Sequence, residues 1–240
     1  MIKADQPTIF DSSLIAAVSS TDDGNMKFGV GEPEEVLVNR RRFLEEAGLD
    51  INHTTNVVIT YETEDFAKYR VVRADEKGDG MTSTATLGYA DALVVDTPGH
   101  ALFLPIADCV GAILYSPVHK VLMVSHIGRH SAEVEGGRKS VEYLKAHYGI
   151  APEELQVWLS PAVGSDSYPL HRFEGRSLHN VIVSQLVESG VRRDAIEVSE
   201  IDTSTSKNYF SYSQFLKGNE TIPGRFAVVA MMVEQGEPAA

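Results

Sequence analysis

The chain has 240 residues with a formal net charge of −13, 43% hydrophobic and 23% charged residues. That length carries one sizeable core in an ordinary globular protein, and the acidic balance excludes a general binder of nucleic acid or of anionic membranes, which needs a basic footprint. A few local cations can still hold an anionic substrate. The single cysteine, Cys109, excludes an intrachain disulfide and suits a reducing cytosol. No run approaches the roughly 18 apolar residues of a membrane span, and the first residues lack the apolar core of a secretory signal. A soluble, acidic, cytoplasmic protein is expected.

In chain order, residues 8–18 and 27–30 read as an opening strand or hairpin around the polar turn Ser19–Asn25. Glu32-Pro33-Glu34-Glu35 opens a helix, with Pro in the first turn and acids at the positive end of the dipole. It runs to a stop at Gly48. Val57–Tyr61, Tyr69–Ala74 and Ala90–Val95 read as strands, with a polar loop over Asp75–Ser83 and a turn at Thr97-Pro98-Gly99. Three short apolar runs follow: Ala101–Ala107, Val110–Ser116 and Val121–Ile127. A helix is expected from about Ser131 to Tyr148, weakened at Gly136-Gly137, and another over Leu178–Glu188. Gln156–Leu159, Ile196–Val198 and Gly224–Met232 complete the strands. With no repeat and no linker, 1–240 reads as a single α+β domain of mixed strands and helices.

The chemistry concentrates between His100 and Gly128. Pro117-Val118-His119-Lys120 suits a tight hairpin between two of the apolar runs. If Pro117 pairs with Lys120, Cys109 lies across from Gly128 and His126 across from Gly111. Cys109 and His126 then share one face as diagonal neighbours about 7–8 Å apart at Cα, with Asp108 on the other. A bulge beside Cys109 would remove that pairing. A thiolate with an imidazole is zinc chemistry or a nucleophile–base pair, and the spacing leaves both open. His130 stands four residues beyond His126. Gly136–Ser140 lacks the glycine spacing of a phosphate loop. The acids Glu62, Glu64 and Asp65 and the basic group His171, Arg172 and Arg176 read as surface.

Several motifs resemble the YfiH-type, laccase-domain family. They are ADCVGAILYSP, VSHIG and LSPAVGSDSY, with FGVGEPEEVLVNRRRFLEEAGL before them and NYFSYSQFLKGNETIPGRFAVVAMM after, covering about residues 27–232 in order. The resemblance implies a layered α and β fold likened to cysteine hydrolases or deamidases. It also implies a zinc-dependent purine nucleoside phosphorylase that takes phosphate and adenosine, inosine or methylthioadenosine, with adenosine deamination as a further activity. Cys109 and His126 fall on two of the family's metal ligands and would be the catalytic pair. Glu62 stands where the family has its other histidine, and His130 offers a nitrogen in its place. Asn39, Arg129 and Arg225 are the implied substrate-binding residues, although both arginines that end the family's FSYRR motif are replaced, by Ser213 and Gln214. A metal-free cysteine hydrolase built on Cys109 and His126, or an impaired member with a binding role, is the alternative. Copper oxidase chemistry is least favoured, since one Cys and no paired histidines do not resemble a multicopper centre. A monomer or small homo-oligomer is expected.

Overall fold

The computed structural model describes residues 1–233. Two sheets stack face to face. The first is four-stranded, in the order β1 (Leu14–Val18), β10 (Phe226–Met232), β5 (Ala101–Ile106), β2 (Thr54–Asn56). The second is six-stranded: β3 (Tyr69–Val71), β4 (Ala92–Val95), β7 (Val121–Ile127), β6 (Val110–Ser116), β8 (Gln156–Leu159), β9 (Ile196–Val198). Period-two alternation divides each strand between two cores. Leu102, Leu104, Val228 and Ala230 of the first sheet meet Leu93, Ile113, Val124 and Trp158 of the second in the central core. Gly111 permits the close approach, since a Cβ there would lie 2.9 Å from Val228 and 3.1 Å from Ile106.

Helices cover both outer faces. α1 (Pro33–Glu46) lays Phe43 and Leu44 on the first sheet against Ala17, Phe103 and Val229. α2 (Arg129–Glu133), α3 (Gly136–Tyr148) and α4 (Leu178–Glu188) cover the second, through Ala132, Val141, Leu144, Ile182 and Leu186. The result is a four-layer α/β/β/α arrangement, a mixed α/β single-domain fold. A short helix, α5 (Tyr212–Leu216), stands apart from these layers.

Four expectations are corrected. No hairpin joins residues 8–18 to 27–30; β1 pairs antiparallel with β10 instead, satisfying its backbone from the far end of the chain. Val57–Tyr61 is not a strand. The ladder runs through Thr54–Asn56, parallel to β5, and ends as the Val57 N–H bonds the Phe103 carbonyl. The Tyr69–Ala74 strand stops at Val71, and a single 3-10 turn, Ala74–Glu76, follows. The helix expected over Ser131–Tyr148 is two helices, broken at Glu135 with φ +64°. Gly136 sits so close to Ser131 that a Cβ would lie 2.1 Å from its Oγ. The weak Gly-Gly middle is therefore a break between two packed helices.

Candidate functional site at the open edge of the sandwich

The β6–β7 hairpin has the unbroken register expected of it, with Gly111 opposite His126 and Val110 opposite Ile127. Cys109 therefore lies across from Gly128. A Cβ on Gly128 would stand 2.9 Å from Cys109 Sγ and 3.4 Å from both Cε1 and Nε2 of His126. Thiol and imidazole thus converge over the one residue that has no side chain to separate them. Asp108, just before, adopts the left-handed region at φ +69°, which Asp tolerates better than most residues.

A cavity of about 500 Å³ opens onto this pair. Val57, Val58 and Ile59 line it, which is where the apolar run expected to be a strand is spent. Tyr61, 64% exposed, and Tyr212 are aromatic members of the rim. Lys27, Arg40 and Arg225 are its charged members, and among the described residues no Asp or Glu lines it.

Each cation is held without a carboxylate partner among the described residues. Arg40 is 1% exposed. Its Nε donates to the Met26 carbonyl at 2.8 Å, and one terminal nitrogen donates to those of Gly80 and Met81 at 2.8 and 3.1 Å. The rings of Phe28 and Phe103 lie 4.4 and 5.0 Å from its guanidinium carbon. Arg225 donates to the carbonyls of Pro223 and Gly224 and lies 5.0 Å from the Tyr212 ring centre.

Desolvation acts on all of these groups, and the charge of Arg225 adds to it at Lys27 and His126. Burial pulls Arg40 down to about 9. Burial, then the neighbouring Arg225, lowers Lys27, and burial lowers Arg225. Gathered, desolvated cations of one sign are relieved by a bound anion. Burial, then Asp108, pushes the Cys109 thiol up to about 12, while burial, then Arg225, pulls His126 down to about 4. As folded, the pair is a neutral thiol beside a neutral imidazole. His126 is 5% exposed and its Nδ1 is buried with no partner.

The remaining expected site residues lie elsewhere. Glu62 is exposed, one residue past Tyr61 at the rim. Among the described residues no three His, Cys, Asp or Glu side chains gather as a metal site, so the set Glu62, Cys109 and His126 is not assembled. His130 stacks on Phe66 at 4.7 Å and faces the exposed Arg129 at 3.3 Å. Asn39 is buried, donates to the Asn25 carbonyl and fills the space beside Gly24. Its neighbour Arg40 is the residue that reaches the cavity. Arg40 carried a readable signal, since it shares the buried stripe of α1 with Val36, Phe43 and Leu44 and a charge there calls for a reason. Lys27 and Tyr212 carried none, because their place in the cavity depends on how distant segments meet.

A sequence model of the family described as multi-copper polyphenol oxidoreductase laccase matches residues 16–177, more than half of the chain. The chain belongs to this laccase-domain family. The match includes Arg40, Cys109 and His126 and ends before Tyr212 and Arg225. Purine nucleoside phosphorylase LACC1 of Homo sapiens is 28% identical over 91 residues, 38% of this chain and 21% of that protein. Purine nucleoside phosphorylase YlmD of Geobacillus stearothermophilus is 27% identical over 146 residues, 60% of this chain and 52% of that protein. The matched segments thus span about half or less of these relatives. Among solved structures, YfiH of Bacillus licheniformis superposes with a TM-score of 0.82 at 21% identity, covering 91% of this chain and 92% of the other. YlmD of Geobacillus stearothermophilus superposes at 0.81 and 23%, covering 93% of each. These likenesses show the YfiH and YlmD fold.

Proposed function

We propose that this laccase-domain protein is a purine nucleoside phosphorylase whose phosphate site is the cavity beside Cys109 and His126. The carrying observation is the cavity's charge: three cations and no carboxylate, in a protein of net charge −13. The relatives named as purine nucleoside phosphorylases support the substrate pair, phosphate and a purine nucleoside. Phosphate bound between Arg225, Lys27 and Arg40 would present an oxygen to C1′ of the sugar. The new bond is C1′–O and the bond broken is C1′–N9, whose electron pair leaves with the purine, which takes up a proton. Tyr61 and Tyr212 offer aromatic faces to the base. The cations lower the barrier by holding the nucleophile in place and in charge register. Adenosine, inosine and methylthioadenosine are the proposed substrates, adenosine deamination a further activity, and the cytoplasm the proposed location.

Cys109 and His126 offer one sulfur and one nitrogen donor of the kind that zinc takes. The unpartnered His126 Nδ1 leaves the imidazole free of competing bonds. A catalytic zinc takes three protein donors, and among the described residues the third is not gathered here. The residues as they stand do not make a zinc site, and the reaction above uses none. A metal-free cysteine hydrolase is disfavoured by charge: it needs a lowered thiol beside a protonated imidazole, and burial shifts both groups the opposite way.

The test is chromatographic. Purified protein, with and without added zinc, is given adenosine and phosphate. Adenine and ribose 1-phosphate in equal amounts support the proposal. Phosphate-independent products, inosine alone, or activity undiminished by Cys109→Ser contradict the reaction or the assigned site.

A further inference from the structure

The carboxylate of Asp108, the residue before the thiol, is spent on two other segments of the chain. Its Oδ1 accepts from the Thr203 hydroxyl at 2.7 Å, and its Oδ2 accepts from the Ser213 N–H at 2.6 Å, in the first turn of α5. Its own carbonyl accepts from the Val163 N–H at 3.0 Å. Ser213 follows Tyr212, which lines the cavity and packs on Arg225. Glu220 takes the Ser211 N–H at 2.9 Å, so a second carboxylate holds the same helix start. A continuous path therefore runs from Cys109 through Asp108 and α5 to Arg225. Asp108 is left-handed in its backbone and sits where the β6–β7 hairpin meets the chain's late segments.

We propose that Asp108 is a positioning residue: by clamping Thr203 and the first turn of α5 to the backbone of Cys109, it sets Tyr212 and Arg225 at their working distance from the thiol. The inference deepens the phosphorylase reading, because Arg225 is there a phosphate ligand. It also extends to any anionic substrate of the same cavity. Asp108 touches no substrate; it acts through the wall it holds.

Cys109 is the only cysteine, so its alkylation reports the cavity without any assumption about the reaction. Iodoacetate is anionic and iodoacetamide neutral, and both attack the same thiolate, so the ratio of their rates cancels changes in thiol ionisation. Arg225 near the thiol raises that ratio. Asp108→Asn keeps the left-handed backbone but cannot accept at both oxygens, and Thr203→Val removes one clamp while keeping the charge. Each is measured at a temperature where circular dichroism shows it fully folded. The clamp predicts a fall in the iodoacetate-to-iodoacetamide ratio of about threefold or more in Asp108→Asn, and a smaller fall in Thr203→Val. If Arg225 does not move, neutralising Asp108 raises the ratio in Asp108→Asn, and Thr203→Val leaves it unchanged. An unchanged or raised ratio overturns the proposal. If the wild type releases no adenine from adenosine and phosphate, the phosphorylase reading fails alone and the alkylation ratio still decides the clamp.

Discussion

Two buried histidines in the same sandwich make an instructive pair. His100 is 1% exposed and His126 is 5% exposed; burial pulls each down to about 4, and each leaves Nδ1 buried without a partner. By burial and ionisation they are alike. They differ in what the other nitrogen meets. Thr55 gives its hydroxyl proton to the Glu76 carbonyl, so its oxygen is left to accept from His100 Nε2 at 2.8 Å. His100 is thereby closed into the packing between β2 and β5. His126 makes no side-chain hydrogen bond among the described residues, and its Nε2 turns toward Cys109 and the cationic cavity. A perturbed histidine is therefore not a site by itself. What marks His126 is an open partner and a set of charges left unbalanced around it.

The largest expected effect separates the two directly. His126→Ala lowers adenosine phosphorolysis by about 100-fold, because it empties part of the wall against which the phosphate is placed, while His100→Ala changes kcat by less than about threefold and instead destabilises by about 1–3 kcal/mol through its lost bond and packing. Equal activity losses in assays of the two folded variants would erase the distinction. Next, Arg225→Met raises the phosphate KM by about 10- to 100-fold and leaves the nucleoside KM nearly unchanged, since a charge-assisted contact to the anion alone is lost. Steady-state kinetics with each substrate varied in turn check this, and an effect confined to the nucleoside would place the anion elsewhere.

A smaller effect tests the convergence over Gly128. Gly128→Ala puts a methyl 2.9 Å from Cys109 Sγ, so the thiol must shift, and activity falls about tenfold with the fold retained. Full activity with an unshifted melting point would show that the pair has slack. The smallest effect is on stability against pH. Both histidines have folded pKa values near 4, below the ordinary 6.5. Between these values the unfolded chain binds protons that the native one does not, so stability is complete above about 6.5 and falls as pH drops toward 4. Asp91 works against this, because burial raises its carboxyl to about 6 and makes the native state the better proton binder between about 4 and 6. Urea midpoints from pH 7 to pH 4.5 should therefore fall in the wild type and fall less in His100→Gln. An equal fall in both would mean that His100 is not the neutral, closed histidine described.

How much of this was legible follows from the range of the interactions involved. The Cys109–His126 pairing is local, set by a four-residue turn and period-two alternation, and counting back from Pro117 and Lys120 was enough to place it. The mix of strands and helices followed from apolar runs and helix ends in the same way, and its layering from the family resemblance. The pairing of β1 with β10 was not legible, since either partner of an edge strand satisfies the same pattern and only the closed sheet selects one. Val57–Ile59 looked like a strand because a cavity wall and a strand face are equally apolar. The cationic cavity was partly legible: Arg225 was expected as a substrate-binding residue from the resemblance, whereas Lys27 joins it only through tertiary packing. Asn39 was assigned to substrate, and the structure gives it to Asn25 and Gly24, leaving Arg40 beside it as the cavity residue.

The central claim is that the cations around Cys109 and His126 form a phosphate site, and calorimetric titration of inorganic phosphate into the purified protein at pH 7 tests it most directly. One phosphate bound per chain, with affinity reduced about tenfold or more by Arg225→Met, is the predicted result. No binding, or binding that Arg225→Met leaves unchanged, would contradict it.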